Sequence, residues 1–201
     1  NVINLNGDVE STNSINLISG LTNLKNAYIT SKSGEININS ISSIASTASS
    51  LNAKDINLTS RDGKIIYTAD AFPIFNNVGN RLYASLSATD TLSLYARDNI
   101  NLSGVTFGNN KNTVFISQKD LTILNVDSDL ITHVRSGDVS GDQKKFDDSF
   151  FKLNTLFSSD SILAKAGGDL RLSGVAFNAG RNIDVMANGL IIVDTKKVGN
   201  V

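Results

Sequence analysis

The chain has 201 residues and a formal net charge of −1, so neither a basic field for nucleic acid nor an acidic field for cationic partners is expected. It has no cysteine and one histidine, which excludes a disulfide scaffold and leaves a zinc site without the ligands it prefers. No apolar run reaches the roughly 18 residues of a membrane-spanning helix, so no stable membrane span is expected.

The polar composition is dominated by 25 Asn and 25 Ser, against one Pro. These short side chains bond to nearby backbone groups and therefore favour turns over helices. Because apolar residues make up 40% of the chain, a packed core is expected. The chain opens at Asn1 without a signal-peptide pattern, and we expect it to be a piece of a longer protein.

Pairs of apolar residues separated by one residue recur along the chain. In order they are Ile3/Leu5, Ile15/Leu17, Ile36/Ile38, Ile56/Leu58, Ile65/Tyr67, Leu92/Leu94, Ile100/Leu102, Leu121/Ile123, Leu170/Leu172, Ile183/Val185 and Leu190/Ile192. A period of two over such short lengths predicts brief strands with one buried face. Turns rich in Gly, Asn and Asp separate them, often seven to nine residues apart.

Residues 67–84, "YTADAFPIFNNVGNRLYA", break this rhythm. The segment holds the single proline, Pro73, and shows no clean repeat. We expect an extruded hairpin or loop, in which Phe72 and Phe75 are candidates for contact with a partner.

A longer break covers residues 125–160. Its apolar residues follow a helical spacing of 4, 3 and 4 at Phe146, Phe150, Leu153 and Phe157. Ser140 followed by Gln143 resembles a capping box, so the spacing predicts a short α-helix over 141–157. The apolar face of this predicted helix either covers the outside of the sheet or meets a partner protein, a receptor or a membrane surface. Phe151 lies beside this apolar stripe.

The remaining sequence repeats itself. "INLSGVTFGNNKN" at 100–112 matches "LRLSGVAFNAGRN" at 170–182 with a constant offset of 70. The phrases "LNAKDINLTS" (51–60), "LSATDTLSLYA" (86–96) and "AKAGGDLRLSG" (164–174) share a turn with Asp followed by a strand. Repeats of about twenty residues predict a solenoid.

A strand of three or four residues cannot bury its apolar face alone, but coils stacked about 4.8 Å apart bury it on the equivalent strand above. We therefore predict an all-β right-handed parallel β-helix of seven or so turns, one domain over 1–201, with extrusions at about 67–84 and 125–160. Asn and Ser at the corners are expected to bond to their copies in the next coil. The main competitor is a β-sandwich, whose strands are longer and do not repeat.

The stretch "AGGDLRLSGVAFNAGRNIDVMANG" (166–189) resembles the haemagglutinin repeats of filamentous haemagglutinin-type exoproteins. The likeness is strong over 162–193, fair over 51–66 and 86–124, weaker over 1–50, and does not cover the extrusions. It implies a surface-displayed rod of a secreted bacterial protein, exported through an outer-membrane transporter by two-partner secretion. Members include adhesins and the stalks of contact-dependent growth inhibition effectors, which deliver toxins. The resemblance carries over no catalytic residue.

Other sites have weaker support. His133 lies near Ser136 and Asp138, without a nucleophile-elbow motif. The acidic stretches 127–129 and 136–143 do not complete a calcium loop. Two glycosylation sequons, at Asn57 and Asn101, fall inside predicted strands and are read as coincidence.

The sequence thus predicts no catalytic, metal or cofactor site and a protein that is not an enzyme. The resemblance implies a rigid stalk that mediates adhesion or presents an effector through its protruding loops to a receptor, protein or glycan, on a host or neighbouring cell. It also implies a secreted protein on the bacterial surface at the outer membrane, with a role in virulence. The residues proposed for partner contact are Phe72, Phe75, Phe146, Phe150, Phe151 and Phe157. The alternative is a carbohydrate-active β-helix enzyme, a polysaccharide lyase or hydrolase, which would need acidic and basic residues clustered on one face of adjacent coils.

Overall fold

A computed structural model describes residues 1–69, 84–125 and 154–194. In these ranges all regular elements are β-strands. They are β1 (Val2–Ser11), β2 (Ile15–Ser31), β3 (Glu35–Thr47), β4 (Ser50–Ala53), β5 (Asp55–Ser60), β6 (Ile65–Thr68), β7 (Ala84–Ala88), β8 (Thr91–Ala96), β9 (Ile100–Ser103), β10 (Val105–Phe107), β11 (Asn110–Ser117), β12 (Leu121–Leu124), β13 (Asn154–Ala166), β14 (Leu170–Ser173), β15 (Val175–Ala179), β16 (Asn182–Ala187) and β17 (Ile191–Asp194).

The strands form three faces of parallel sheet, each built from equivalent stretches of successive coils. Face A contains residues 15–19, 35–40, 55–60, 91–96, 112–117, 161–166 and 182–187. Face B contains residues 2–5, 21–25, 43–47, 65–68, 100–103, 121–124, 170–173 and 191–194. Face C contains residues 7–11, 27–31, 50–53, 84–88, 105–107, 154–158 and 175–179. The long strands run through corners: β1, β3 and β13 each contribute to two faces, and β2 contributes to all three.

Each coil takes about 21 residues, as the pairing of Ile15 with Ile36 and of Asn16 with Asn37 illustrates. The described chain makes about 7 turns of a parallel β-solenoid. The all-β fold of stacked parallel coils predicted from the sequence is therefore confirmed, and the antiparallel pairing of a β-sandwich is excluded for the described strands.

Columns of aliphatic side chains fill the interior. Ile36, Ile56 and Leu92 are in register on face A and fully buried. Burial of a side chain of this size contributes roughly 1.5–3 kcal/mol relative to an exposed one. Since each strand has few residues, most of this burial comes from the neighbours above and below, which is the physical reason for the solenoid.

Asn side chains reinforce the stack on the outside of face A. Asn37 Nδ2 donates to Asn16 Oδ1 at 2.9 Å, and Asn57 Nδ2 donates to Asn37 Oδ1 at 2.9 Å. On face B, Asn23 Nδ2 donates to Asn4 Oδ1 at 2.8 Å. The Asn ladders therefore lie within the strands of faces A and B, whereas the sequence prediction placed them at the corners.

The Gly-Gly-Asp turn at 167–169 is explained by close approach between coils. A Cβ on Gly167 would lie 2.0 Å from the carbonyl oxygen of Gln118, and one on Gly168 would lie 2.3 Å from a carboxylate oxygen of Asp120. Asp169 Oδ1 then accepts a hydrogen bond from the backbone N–H of Leu190 at 2.8 Å. The two glycines make room, and the aspartate satisfies a donor of the next coil.

The predicted limits of the first extrusion need correction. Tyr67 and Thr68 are the last residues of β6, and Ala84 is the first residue of β7. The aromatic ring of Tyr67 is fully buried because it occupies an inward position of face B, in register with Leu102. Residues 70–83 lie outside the described part of the chain.

The second extrusion is also shorter than predicted. Residues 154–160 belong to β13, and residues 154–158 pair with 175–179 on face C. Leu156 points inward and is fully buried, whereas Phe157 is exposed. The prediction of a helix up to Phe157 is therefore wrong over 154–157, where pairing with the next coil overrides the helical spacing. The rest of the predicted helix lies outside the described residues.

The register of the last strand differs by one residue from the sequence prediction. Ile191 pairs with Leu170 and Val193 pairs with Leu172, so the inward column continues through Ile191 and Val193. The predicted pair Leu190/Ile192 is therefore offset by one, which exchanges the two faces of a strand. Four consecutive apolar residues, Leu190 to Val193, leave the alternation ambiguous in the sequence alone.

Candidate functional site

The corner between faces B and C, called the BC corner below, has a distinctive backbone. All five described residues with positive φ lie at or directly beside it, with φ between 50° and 109°. They are Gly7, Asn26, Ala48, Gly104 and Gly174. A single left-handed residue therefore turns the chain from face B to face C, which explains the glycine of the repeated phrase Leu-Ser-Gly-Val.

The first segment outside the described residues begins and ends at this corner. Thr68 pairs with Ser103 and Ala84 pairs with Val105, the two residues that flank Gly104 in the next coil. Ala69 N donates to Ser103 O at 2.9 Å and thereby takes the position equivalent to Gly104. In the next coil one glycine connects face B to face C, whereas in this coil residues 69–83 make the same connection.

The second segment begins and ends at the same corner. Leu124 pairs with Ser173, and residue 154 pairs with Val175, the neighbours of Gly174. Asn125 N donates to Ser173 O at 2.9 Å, the position equivalent to Gly174. Residues 125–153 thus replace a single corner residue.

The two insertions leave from one edge of the solenoid, two coils apart. A strand spacing of about 4.8 Å places their roots about 10 Å from each other along that edge. On face B the intervening coil, with Gly104 at its corner, pairs with the coils on both sides. The insertions therefore leave the parallel pairing of face B intact, and the BC corner is the candidate functional site.

That both insertions share a corner is not among the sequence predictions, although the sequence contains a signal for it. The phrase Leu-Ser-Gly-Val at 102–105 and 172–175 marks the BC corner in two coils. Aligning Thr68 and Leu124 with Ser103, the residue before the glycine, would have placed both insertions at that corner.

Of the six aromatic residues predicted to contact a partner, Phe157 falls in the described part. It lies on the outer surface of face C, 38% exposed, four residues after the second insertion returns to the solenoid. The others lie outside the described residues; they are Phe72, Phe75, Phe146, Phe150 and Phe151.

The ionisable residues that the sequence analysis considered as sites lie outside the described residues. They are His133 and the acidic stretches 127–129 and 136–143. Within the described ranges no group of three or more His, Asp or Glu side chains is arranged to hold a metal ion.

Five ion pairs join charged side chains of neighbouring coils in the described ranges. Arg97 Nη1 lies 3.1 Å from Asp62 Oδ1, and Lys119 Nζ lies 2.9 Å from Asp98 Oδ1. Further pairs of the same kind are Lys32–Glu10, Arg171–Asp194 and Arg181–Asp160. Exposed ion pairs contribute little to stability, so the main effect of these pairs is to match charge along the stack.

Two carboxylates lie in register on adjacent coils, Glu35 and Asp55. Asp55 Oδ1 accepts a hydrogen bond from Thr91 N at 3.0 Å, and Glu35 Oε2 accepts one from Asn37 Nδ2 at 3.0 Å. Both carboxylates thus take part in hydrogen bonds that join or order the strands. They are the acidic pair that the enzymatic alternative would have to use.

The fold and the BC corner define the class of this protein as a parallel β-solenoid with two insertions at one edge. Comparisons with protein-family models, with curated proteins and with solved structures find no match. In the described ranges no helix is both long and apolar enough to cross a membrane.

Proposed function

We propose that this chain is a rigid stalk segment of a secreted bacterial surface exoprotein of the filamentous haemagglutinin type. Its insertions at 70–83 and 126–153 make the contacts with a receptor, protein or glycan, on a host or neighbouring cell. During export the partner is an outer-membrane two-partner transporter. The segment then serves an adhesin or presents an effector away from the bacterial surface.

The observation that carries this proposal is the shared origin of the insertions at the BC corner. A scaffold that only needs stability can turn this corner with one residue, as the coils with Gly104 and Gly174 do. Two long replacements begin and end at this same edge, and the pairing of face B continues from coil to coil past both. Contact surfaces on rigid scaffolds are commonly built in this way.

The geometry of the corner supplies a direct experiment. Deletion of residues 126–153 together with Asn125→Gly recreates the one-residue corner of the neighbouring coil, and deletion of 70–83 with Ala69→Gly does the same for the first insertion. Each variant should keep the far-UV circular dichroism of the solenoid, because the flanking residues already pair with the next coil.

Binding is then measured with fluorescently labelled protein on epithelial cells and on bacterial cells. We expect the deletion variants to lose binding while the fold is retained. A control variant replaces 126–153 by a Gly/Ser linker of equal length, which keeps the spacing but removes the side chains. Equal binding by the wild type and by the variant that lacks both insertions would reject the proposal.

One observation favours the alternative that the protein is a carbohydrate-active enzyme: the carboxylates Glu35 and Asp55 lie in register on adjacent coils. It predicts cleavage of a polysaccharide that is abolished by Glu35→Gln or Asp55→Asn and unaffected by the corner deletions. The two proposals therefore separate in one set of variants.

A further inference from the structure

Beyond the insertions, we propose that the outer surface of face C is a binding surface for an extended neutral polysaccharide chain that runs along the solenoid axis. The surface consists of two parallel rows of side chains. One row is Tyr28, Ser50, Ser85 and Thr106, and the other is Thr30, Asn52 and Ser87. This proposal does not depend on residues 70–83 or 126–153.

The first reason is the hydrogen-bonding capacity of the second row. Within the described ranges, the side chains of Thr30, Asn52 and Ser87 have no hydrogen-bond partner. On face A, by contrast, the side-chain amide of Asn37 is engaged by Asn16 and Asn57 above and below it. Face C therefore presents donors and acceptors that the fold does not use.

The second reason is charge. Between Tyr28 and Thr106 no outward position of either row carries an ionisable group other than the tyrosine hydroxyl itself, and the carboxylates Asp8 and Glu10 lie one coil beyond, in register with Tyr28 and Thr30. Face B differs, because one of its rows is interrupted by the apolar Ala45 and Ile66. An uninterrupted, uncharged array of hydroxyl and amide groups matches a ligand that is itself uncharged and rich in hydroxyl groups.

The third reason is the repeat. Equivalent side chains recur once per coil, about 4.8 Å apart. A sugar residue in an extended β-1,4-linked chain advances by a similar length, so successive sugars would meet equivalent groups on successive coils. Tyr28 at one end of its row adds an aromatic ring, a type of surface on which the apolar face of a sugar packs well.

The experiment uses isothermal titration calorimetry with cellohexaose and chitohexaose as probes. The face C variant combines Thr30→Val, Asn52→Leu and Ser87→Ala, which removes the hydrogen-bonding groups and keeps strand-compatible side chains. The matched control makes the corresponding changes on face B, Thr47→Val, Asn101→Leu and Thr122→Val, at outward positions of the same solenoid. Circular dichroism checks that both variants are folded.

We expect the wild type and the face B control to bind at least one of the two oligosaccharides, and the face C variant to bind at least tenfold more weakly. Amide chemical-shift changes in the wild type should map to residues 27–31, 50–53 and 84–88. No binding by the wild type at millimolar ligand would overturn the proposal, as would equal loss in both variants or shifts confined to another face. Preferential binding of a sulfated hexasaccharide would also contradict it.

The variant that lacks both insertions separates this proposal from the previous one. It should keep oligosaccharide binding while losing attachment to cells. Loss of oligosaccharide binding in that folded variant would place the glycan site on the insertions and overturn the assignment to face C.

Discussion

The hydroxyl of Tyr67 donates a hydrogen bond of 2.8 Å to the backbone carbonyl oxygen of Ser49, at the BC corner of the preceding coil. A second contact of 3.3 Å joins the same hydroxyl to the carbonyl oxygen of Ser85. Tyr67 belongs to the coil in which the first insertion replaces the corner residue. Through the contact with Ser85, its side chain therefore links face B to face C within the coil that carries the first insertion.

Replacing Tyr67 by Phe should lower the thermal unfolding midpoint. The change keeps the buried ring and removes the hydroxyl, so the loss is that of a buried hydrogen bond, about 1 kcal/mol. In a chain of this size that corresponds to roughly 2–4 °C. The carbonyl of Ser49 still accepts from Ser85 N, which limits the cost. A midpoint equal to that of the wild type would mean that the hydroxyl contributes nothing.

The same substitution has a pH signature. Burial raises the pKa of the Tyr67 phenol well above its ordinary value of 10.0. Above about pH 10 the unfolded chain loses this proton while the folded chain keeps it, so the free energy of unfolding decreases as pH rises. The decrease should be smaller in the Tyr67→Phe variant. Urea unfolding at pH 8 and at pH 10.5, compared between the two proteins, measures the difference.

Tyr67 also illustrates how far the sequence predicts the fold. The alternation Ile65/Tyr67 predicts a strand, yet the aromatic character of 67–84 suggests that the insertion begins at Tyr67. The conflict is resolved by a long-range contact, the hydroxyl bond to Ser49, which local periodicity does not contain. Strand content and solenoid stacking follow from period two and the repeat, whereas boundaries depend on such contacts.

For the candidate site, too, the sequence predicts one part and long-range pairing decides the other. The sequence identifies two non-repeating segments, because they lack the alternation that the coils require. That both begin at the BC corner depends on which strands pair, and pairing is set by stacking over 21 residues or more. Phe157 shows how far local spacing can predict structure. Its spacing fits a helical stripe, but the neighbouring Leu156 fills an inward position of face C, so the segment is a strand.

Asn110 should be among the most sensitive polar residues of the described chain. It is fully buried; its Oδ1 accepts from Ala88 N at 3.0 Å, and its Nδ2 donates to Thr113 Oγ1 at 3.2 Å. Asn110→Ala leaves the Ala88 N–H buried without a partner, which costs about 2–3 kcal/mol. Asn52→Ala is the control, because Asn52 is exposed, and its effect should stay within about 0.5 kcal/mol.

Urea denaturation followed by circular dichroism measures both variants. Similar free energies for Asn110→Ala and Asn52→Ala would show that the buried amide is dispensable. The result would then contradict the network that continues from Thr113 to Ser158, whose hydroxyls are 2.8 Å apart.

Gly63→Ala should lower the thermal unfolding midpoint, because position 63 has no room for a side chain. A Cβ at this position would lie 1.3 Å from the carbonyl oxygen of Ser42 in the preceding coil, so the backbone of one coil must move. Overpacking of this kind costs about 3 kcal/mol or more. Lys64→Ala, at the next and exposed residue, is the matched control and should leave the thermal midpoint nearly unchanged. Equal midpoints for the two variants would contradict the close approach of these coils.

Asp194 gives a prediction at acidic pH. The hydroxyl of Ser173 and the guanidinium of Arg171, whose Nη2 is 3.1 Å from Asp194 Oδ2, hold the pKa of this carboxyl below its ordinary value of 3.8. A carboxyl with a lowered folded pKa contributes stability above its unfolded pKa and loses that contribution as pH falls below it. The wild type should therefore lose more stability than Asp194→Asn between about pH 4 and pH 2. Carbon-detected NMR titration of Asp194 should give a midpoint below 3.8 in the wild type and a higher midpoint in Arg171→Met. An unchanged midpoint in Arg171→Met would show that the guanidinium does not act on the carboxylate, and the ion pair across these two coils would then be a contact without energetic consequence.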